Sequence, residues 1–342
     1  MTDPVSEYGD LQTRRSFLGT SGVGLGAAVG ASLINGRADA ADSDGVPAAR
    51  AKRVIFLFMA GAPSQVDLFD YKPNLHKLFK TELPQSVVKG QRVTAMTRGR
   101  QKLIAPSTFK FAQQGKSGVW MCELLPHLSA SADDLCLVHS FNTNAINHDP
   151  GKTSFCTGAE IPGKPSMGSW LTYGLGSENQ DLPGFVAMSP RAQPRGKLAN
   201  WGSSFLPGAH AGTYVNIAKM KPENVMQNLS NPHLPRLEQR NQANLLSRLN
   251  KMHLDRLEKD NHLEAGIEAM ELAFRMQFAV PDVFDISKES KETRDLYGNS
   301  EYAKGCLIAR RLVERGVRSV QLSHSIDGYD IAWDTGHGDI KG

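Results

Sequence analysis

The chain has 342 residues, of which 40% are hydrophobic and 22% are charged, and its formal net charge is +4. This composition is typical of a globular protein with one extensive core or two domains. Because Lys and Arg are scattered along the sequence, no nucleic-acid partner is predicted. The four cysteines form no Cys-x-x-Cys pair, which excludes zinc-ribbon and thioredoxin motifs but leaves either a disulfide or buried free thiols open.

The first forty residues have the organisation of an export signal. Arg14 and Arg15 lie in the sequence Thr-Arg-Arg-Ser-Phe-Leu, a twin-arginine motif, and an uncharged, weakly apolar run over 18–34 follows it. An uncleaved membrane anchor is the alternative, but the run is shorter and richer in glycine than a spanning helix, which needs ~20 residues. We therefore predict cleavage after Ala40, a linker over 41–51, and a periplasmic or otherwise exported protein with no stable membrane span. The twin-arginine translocase is the partner expected during export.

Short apolar runs bounded by turn residues predict an α/β fold with a parallel sheet. Residues 53–59 lack polar alternation, which is typical of a strand buried on both faces. A helix over 301–315, ended by Gly316, leads into a further apolar run. The other predicted strands lie at 135–140, 184–188 and 317–322, and shorter helices lie at 122–132, 152–157 and 166–173.

Residues 236–280 are predicted to be a helical insertion. Apolar residues recur there at helical spacing with charged residues between them, which indicates two amphipathic helices. We expect these helices to pack over the sheet or to form a lid, and an interaction role is the alternative.

The segment 148–158 runs from a loop onto a predicted helix. Its Gly-Lys-Thr sequence suggests a nucleotide phosphate loop, but Ile146 stands where that motif needs its first glycine. Backbone N–H groups and the helix dipole at a helix start favour an anion. Lys152, Thr153 and Ser154 are therefore candidate anion-binding residues, and an ordinary loop-to-helix junction is the alternative.

Three acidic and imidazole side chains are candidate metal ligands. Asp334 and His337 are three residues apart with a glycine between them, so both can reach one ion, and this donor pair suits zinc, manganese or iron. His324 and Asp327 lie nearby in the sequence. Asp67 follows the first strand, at the sheet edge where α/β proteins bind ligands, although it can instead cap the next helix. A solvated, turn-rich loop is the alternative for the segment around Asp334.

Together these segments resemble the bacterial family called domain of unknown function 1501. The matching stretches are 58–70 with Lys72 and Pro73, then 148–158, then 333–335, and the resemblance covers nearly all of 52–342. That family is similar to the alkaline phosphatase superfamily, whose members hydrolyse phosphate or sulfate esters with metals at the carboxyl edge of a parallel sheet. The resemblance implies one domain over 52–342, an alkaline-phosphatase-like parallel-sheet sandwich with helices on both faces. It also implies that the sequence is incomplete at its C-terminus.

Carrying the superfamily's roles onto this chain exposes departures. The nucleophile's place, ten residues before Gly158, is held by His148, which can act as nucleophile, metal ligand or general acid. Ala60 stands where a metal-binding Asp is expected, so Asp67 is the substitute. Asp334 and His337 resemble an Asp-x-x-x-His pair with one residue fewer.

Two functions follow as expectations. One is an exported hydrolase that acts on a small anionic ester with a divalent metal, zinc or manganese. The other is a non-catalytic descendant of the fold that binds a ligand or partner at the cell envelope.

Overall fold

The computed structural model describes residues 50–61, 63–88, 90, 98–190, 196–219, 234–254 and 261–324. The strands are β1 Val54–Phe58, β2 Phe111–Gln114, β3 Val119–Cys122, β4 Phe185–Ser189, β5 Thr213–Asn216 and β6 Ser319–Ser323. The helices are α1 Gln65–Leu68, α2 Gln85–Val88, α3 Pro126–Ser129, α4 His148–Thr157, α5 Met167–Leu175, α6 Arg236–Leu254, α7 Asn261–Phe284, α8 Lys291–Tyr297 and α9 Glu301–Glu314.

A parallel sheet of four strands forms the centre of the described fold, in the order β1-β6-β4-β5. Val54 pairs with Ser319 and Phe185 pairs with the same residue from the other side, so β6 lies between β1 and β4. Strands β2 and β3 form a separate antiparallel hairpin. The predicted α/β class is therefore confirmed, and the strands predicted at 53–59, 184–188 and 317–322 are found within two residues of their expected bounds.

Helices cover both faces of this sheet. On one face, Val186 and Met188 of β4 and Val320 and Leu322 of β6 join a buried cluster with α7 and α9, to which Met276, Val280, Ile308 and Leu312 contribute. On the other face, Phe185 and Ala187 pack with Trp201, α5 lies over β6 and β4, and α4 contacts β6 and β1. Burying each of these large apolar side chains contributes about 1.5–3 kcal/mol, so the sheet is held mainly by its two apolar layers.

Strand β1 lies at the edge of the described sheet, and the prediction that both its faces are buried is wrong. Ile55 and Leu57 remain 39% and 47% exposed. They share a face with Val320 and Leu322, which are fully buried in the neighbouring central strand. An edge strand has a neighbour on one side alone, so the same apolar composition gives less burial than in a central strand.

The strand predicted over 135–140 is also wrong. A 3-10 turn at Ala132–Asp134 is followed by irregular chain, and Leu135 and Val138 are exposed. An apolar run becomes a strand only when a neighbour accepts its backbone hydrogen bonds, and no described strand pairs with it. The helix predicted over 122–132 is reduced to the single turn of α3 because β3 continues to Cys122.

The two helices predicted within 236–280 are confirmed as α6 and α7, and 255–260 lies outside the described ranges. The carboxyl-terminal half of α7 packs into the core through Met276, Val280 and Val283, as expected. In the described part of the chain, no helix has both the length and the apolar character needed to span a membrane. Arg14, Arg15, Asp334 and His337 lie outside the described ranges.

Candidate functional site

The carboxyl ends of the parallel strands meet at one edge of the sheet, and a hydrogen bond joins two of them. The backbone N–H of His324, directly after β6, donates to the carbonyl oxygen of Phe58, the last residue of β1, over 2.8 Å. The chain therefore leaves β1 and β6 from adjacent positions. The segment after β1 carries Asp67, and the sequence after His324 continues to Asp334 and His337.

His324 is half-buried at this edge. Its ring packs edge-on against Tyr302 of α9 with the ring centroids 4.5 Å apart. Burial lowers the pKa of His324, which favours the neutral imidazole at neutral pH. Neutral imidazole is the form that ligates a metal or accepts a proton, so His324 is a candidate member of the site.

Asp67 takes part in the start of α1. The Ser64 hydroxyl donates to Oδ2 of Asp67 over 2.6 Å, and the Ser64 carbonyl accepts from the Asp67 N–H over 3.2 Å. Asp67 is thus the third residue of α1, and the N-cap residue is Ser64, with no side-chain cap hydrogen bond, so the capping role that the sequence left open for Asp67 is wrong. Ala60 is fully buried at the end of β1, where the resemblance implied a metal-binding carboxylate, and it has no donor atom in its side chain.

Asp70 and His139 lie close together in the structure, near Asp67, although they are far apart in the sequence. Nδ1 of His139 lies 3.9 Å from Oδ1 of Asp70, and Nζ of Lys72 donates to that oxygen over 2.9 Å. The pair depends on a long-range contact with the irregular segment after α3, so no sequence spacing could have found it.

Helix α4 begins at His148, four residues before the predicted start. Pro150 in the first turn is the signal for this earlier start, since proline is tolerated there. His148 is exposed and is the first residue of the helix. Pro150 has no N–H, and the Gly151 N–H donates to the Asn147 carbonyl over 3.0 Å. An anion at this helix start would therefore depend more on side chains than on backbone donors.

The predicted anion-binding residues follow in the same helix. Lys152 is only 4% exposed, and its Nζ lies 3.3 Å from Oδ1 of Asp149, whose side chain is largely exposed. Thr153 is buried and its hydroxyl donates to the Asp149 carbonyl over 2.9 Å. Ser154 is half-buried, and its carbonyl accepts from the Gly158 N–H that ends the helix. Lys152 places a buried positive charge one turn from His148.

Two side chains seat α4 on the sheet. The Gln321 amide of β6 donates to Sγ of Cys156 at 3.6 Å, and the Phe155 ring stacks on Phe56 and Phe58 of β1 with centroids 5.6 and 5.7 Å apart. Burial raises the pKa of the Cys156 thiol to about 12, so this cysteine packs as an apolar group. The helix that carries His148 is thus fixed against both strands whose ends meet at His324.

Strand β4 ends in a polar pair that sequence reasoning missed. The hydroxyl groups of Ser189 and Tyr214 lie 2.6 Å apart, and Ser189 is fully buried. Burial raises the pKa of Tyr214. The sequence does contain a signal for this site, because Ser189 ends the apolar run of β4. It lies at the carboxyl end of its strand, as Ala60 does after β1.

Across the residues that the structure describes, no group of three or more His, Cys, Asp and Glu side chains is arranged to hold a metal ion. Asp67 and His324 supply a carboxylate and an imidazole, which suit zinc or manganese by chemistry, but they do not form a complete ligand set. The other two predicted ligands, Asp334 and His337, lie beyond the described ranges.

The comparisons with known proteins give one family. The family model described as "Protein of unknown function (DUF1501)" matches residues 51–342. No curated protein and no solved structure matches the chain. The match includes every candidate site residue from Asp67 to His337 and leaves out the twin-arginine segment.

Proposed function

Since the chain belongs to the DUF1501 family of proteins of unknown function, we propose that it hydrolyses phosphate or sulfate esters at the carboxyl edge of its parallel sheet. The proposal includes an alkaline-phosphatase-like arrangement of that sheet and a single domain over 52–342. It also includes export through the twin-arginine route and a location in the periplasm or outside the cell.

The observation that carries this proposal is the hydrogen bond from the His324 N–H to the Phe58 carbonyl. It supports a site in which the loop with Asp67 and the segment leading to Asp334 and His337 start side by side. In open α/β sheets, ligands bind outside the carboxyl ends of the strands. Segments that follow adjacent strand ends at this edge are therefore in the right place to share one ligand.

The side chains have complementary tasks in this proposal. His148, exposed at the start of α4, contacts the ester and acts as nucleophile or proton carrier. Lys152, buried one turn later, supplies positive charge toward the anionic group, with Thr153 and Ser154 around it. Asp67, Asp334 and His337 would hold the ion. A bound zinc or manganese ion supplies Lewis-acid polarisation of the ester oxygen.

A second function is favoured by the residues at two positions. Ala60 is buried and apolar at the end of β1, and Asp149 already places a negative charge at the start of α4. Both features weaken an anion-hydrolysing site. They support the alternative of a protein that binds a ligand or partner at the cell envelope without turnover.

The test is an activity and metal measurement on the exported, purified chain. After loading with zinc or manganese, we expect hydrolysis of an aryl phosphate, an aryl phosphodiester or an aryl sulfate. His148→Ala should lower the rate by about 100-fold or more, since it removes the group nearest the reacting atoms. His127→Ala, which removes an exposed histidine on α3, is the matched control and should leave the rate unchanged.

Metal content separates the two functions. If the wild type binds stoichiometric metal that an Asp334→Asn, His337→Ala double variant loses, and the wild type still turns over no ester, the hydrolase is excluded and the binding protein is favoured. If neither metal nor turnover is found, the metal-dependent site is wrong.

Export is tested separately through Arg14 and Arg15. An Arg14→Lys, Arg15→Lys double variant keeps the positive charge but removes the twin-arginine motif, so we expect the chain to accumulate in the cytoplasm. Cell fractionation measures this, and normal export of the variant would contradict the proposed route.

A further inference from the structure

Helix α6 carries a stripe of apolar side chains that the described fold leaves exposed. Leu245, Leu249 and Met252 are 58%, 52% and 56% exposed. Their spacing of four and then three residues places them on one side of the helix. Leu237 and Leu246 are exposed as well and extend the apolar surface. We call Leu245, Leu249 and Met252 the α6 stripe.

The α6 stripe stands away from the sheet. Helix α6 contacts α7, and α7 in turn packs its carboxyl-terminal half into the core. Although α6 contacts α7, Leu245, Leu249 and Met252 remain open to solvent. Exposed leucine and methionine at helical spacing therefore point to an interaction surface.

The charge of α6 indicates the chemistry of the partner. Its sequence contains Arg236, Arg240, Arg248 and Lys251 against one acidic residue, Glu238. Arg240 and Arg248 are exposed. A surface that combines exposed apolar residues with exposed cations matches an anionic partner.

From these observations we propose that α6 docks on an anionic lipid bilayer surface, with the α6 stripe at the boundary between headgroups and acyl chains, Arg248 beside the stripe among the phosphates, and Arg240 on the polar side of the helix, where it adds to the attraction toward the anionic surface. Basic amphipathic helices bind membrane surfaces in this way. The exposed apolar positions from Leu237 to Met252 extend over about 22 Å of one helix, which suits a planar surface.

Two other occupants fit less well. A second copy would bring two cationic helices together, and like charges oppose that contact. A protein partner would be expected to use aromatic anchors, because Trp, Tyr and Arg dominate protein hot spots while leucine is under-represented. Helix α6 contains no aromatic residue other than its histidine.

The test is flotation of the full chain with lipid vesicles. Vesicles of phosphatidylglycerol and phosphatidylcholine in equal amounts should carry the protein, and vesicles of phosphatidylcholine alone should not. Each basic residue near an anionic surface contributes about a fivefold factor in partitioning, so an Arg240→Gln, Arg248→Gln variant should bind about 30-fold more weakly. A Leu249→Gln, Met252→Gln variant should also lose binding.

A Lys110→Gln, Lys164→Gln variant is the matched control, because it removes the same charge from exposed positions outside α6. It should keep most of the binding. Equal binding to both kinds of vesicle, or no effect of the α6 variants relative to this control, would overturn the proposal. So would a concentration-dependent dimer that the Leu249→Gln, Met252→Gln variant abolishes, since the stripe would then face a second copy. These outcomes do not depend on ester hydrolysis.

Discussion

Oδ1 of Asp149 lies 3.3 Å from Nζ of Lys152, so an exposed carboxylate pairs with a buried ammonium group at the start of α4. The pair occupies the place where the proposed substrate anion would bind. An incoming phosphate must therefore compete with the protein's own carboxylate for Lys152. Asp149 also lies in the first turn of α4, where a negative charge interacts favourably with the helix dipole.

We therefore predict that Asp149→Asn strengthens anion binding. The substitution removes the negative charge that pairs with Lys152, so the dissociation constant for inorganic phosphate should fall about three- to tenfold. Titration calorimetry measures it. Asp134→Asn, which removes an exposed carboxylate outside α4, is the control and should have little effect. An unchanged or weaker affinity in Asp149→Asn would mean that phosphate does not bind at this helix start.

The cysteines should differ strongly in reactivity. Cys136 is exposed, whereas Cys122 and Cys156 are buried, and burial raises the pKa of the Cys156 thiol to about 12. Since the thiolate is the reactive form, the native protein at pH 8 should show one fast phase with a thiol reagent, and Cys136→Ser should remove it. Stopped-flow absorbance measures the rate of this reaction. Cys306 is half-buried, and burial raises its pKa as well. A fast phase that survives in Cys136→Ser would contradict the limited access to the other three thiols.

Gly168 should not tolerate a methyl group. A Cβ at this position of α5 would lie 2.6 Å from ring atoms of Phe185, which is itself buried against Trp201. Gly168→Ala should lower the free energy of unfolding by about 1–3 kcal/mol, despite the better helix propensity of alanine. Urea unfolding measures it. Gly208→Ala is the control, since nothing lies within 4 Å of its Cβ and its φ is not positive. Equal stability of both variants would show that α5 packs less closely on β4.

Acid should weaken the ion pairs of Asp282. Hydrogen bonds from Lys288 and from Arg315 lower the pKa of this carboxyl to about 2. A lowered folded-state pKa stabilises the fold above the unfolded value near 4, and that contribution is lost as the pH falls toward 2. Because the side chain is 44% exposed, we expect an effect below about 1 kcal/mol.

Asp282→Asn should therefore lose less stability than the wild type between pH 5 and pH 3, as followed by urea unfolding at both pH values. Asp295→Asn, which removes an exposed carboxylate of α8, controls for the general effect of one charge. Parallel losses in wild type and Asp282→Asn would contradict the lowered pKa.

Local patterns predicted the elements whose ends carry clear turn signals in the sequence. The apolar run before Gly61 became β1, and the helix ended by Gly316 became α9, whose following strand is buried on both faces. Gly316 has φ +90°, which is the conformation that made it a good end signal. The strand predicted over 135–140 failed because apolar composition does not tell whether a neighbouring strand is present.

The candidate site likewise contains residues that the sequence identified and contacts that it did not. Its residue types were visible in the sequence, since His148, Lys152 and Asp67 follow recognisable strand and helix boundaries. The approach of His139 to Asp70 and the pair of Ser189 with Tyr214 were not visible, because each joins segments that are far apart in the chain.

By itself, the sequence determined the alternation of strands and helices, the twin-arginine motif as an expectation, and the kinds of side chain near each strand end. These follow from hydrophobic periodicity and turn chemistry, which act over a few residues. Only the tertiary structure decided that β6 lies between β1 and β4, that His324 meets Phe58, and that Lys152 is buried while the α6 stripe is exposed. Strand order and burial depend on contacts between distant segments, and a local pattern carries no record of which partner a surface will meet.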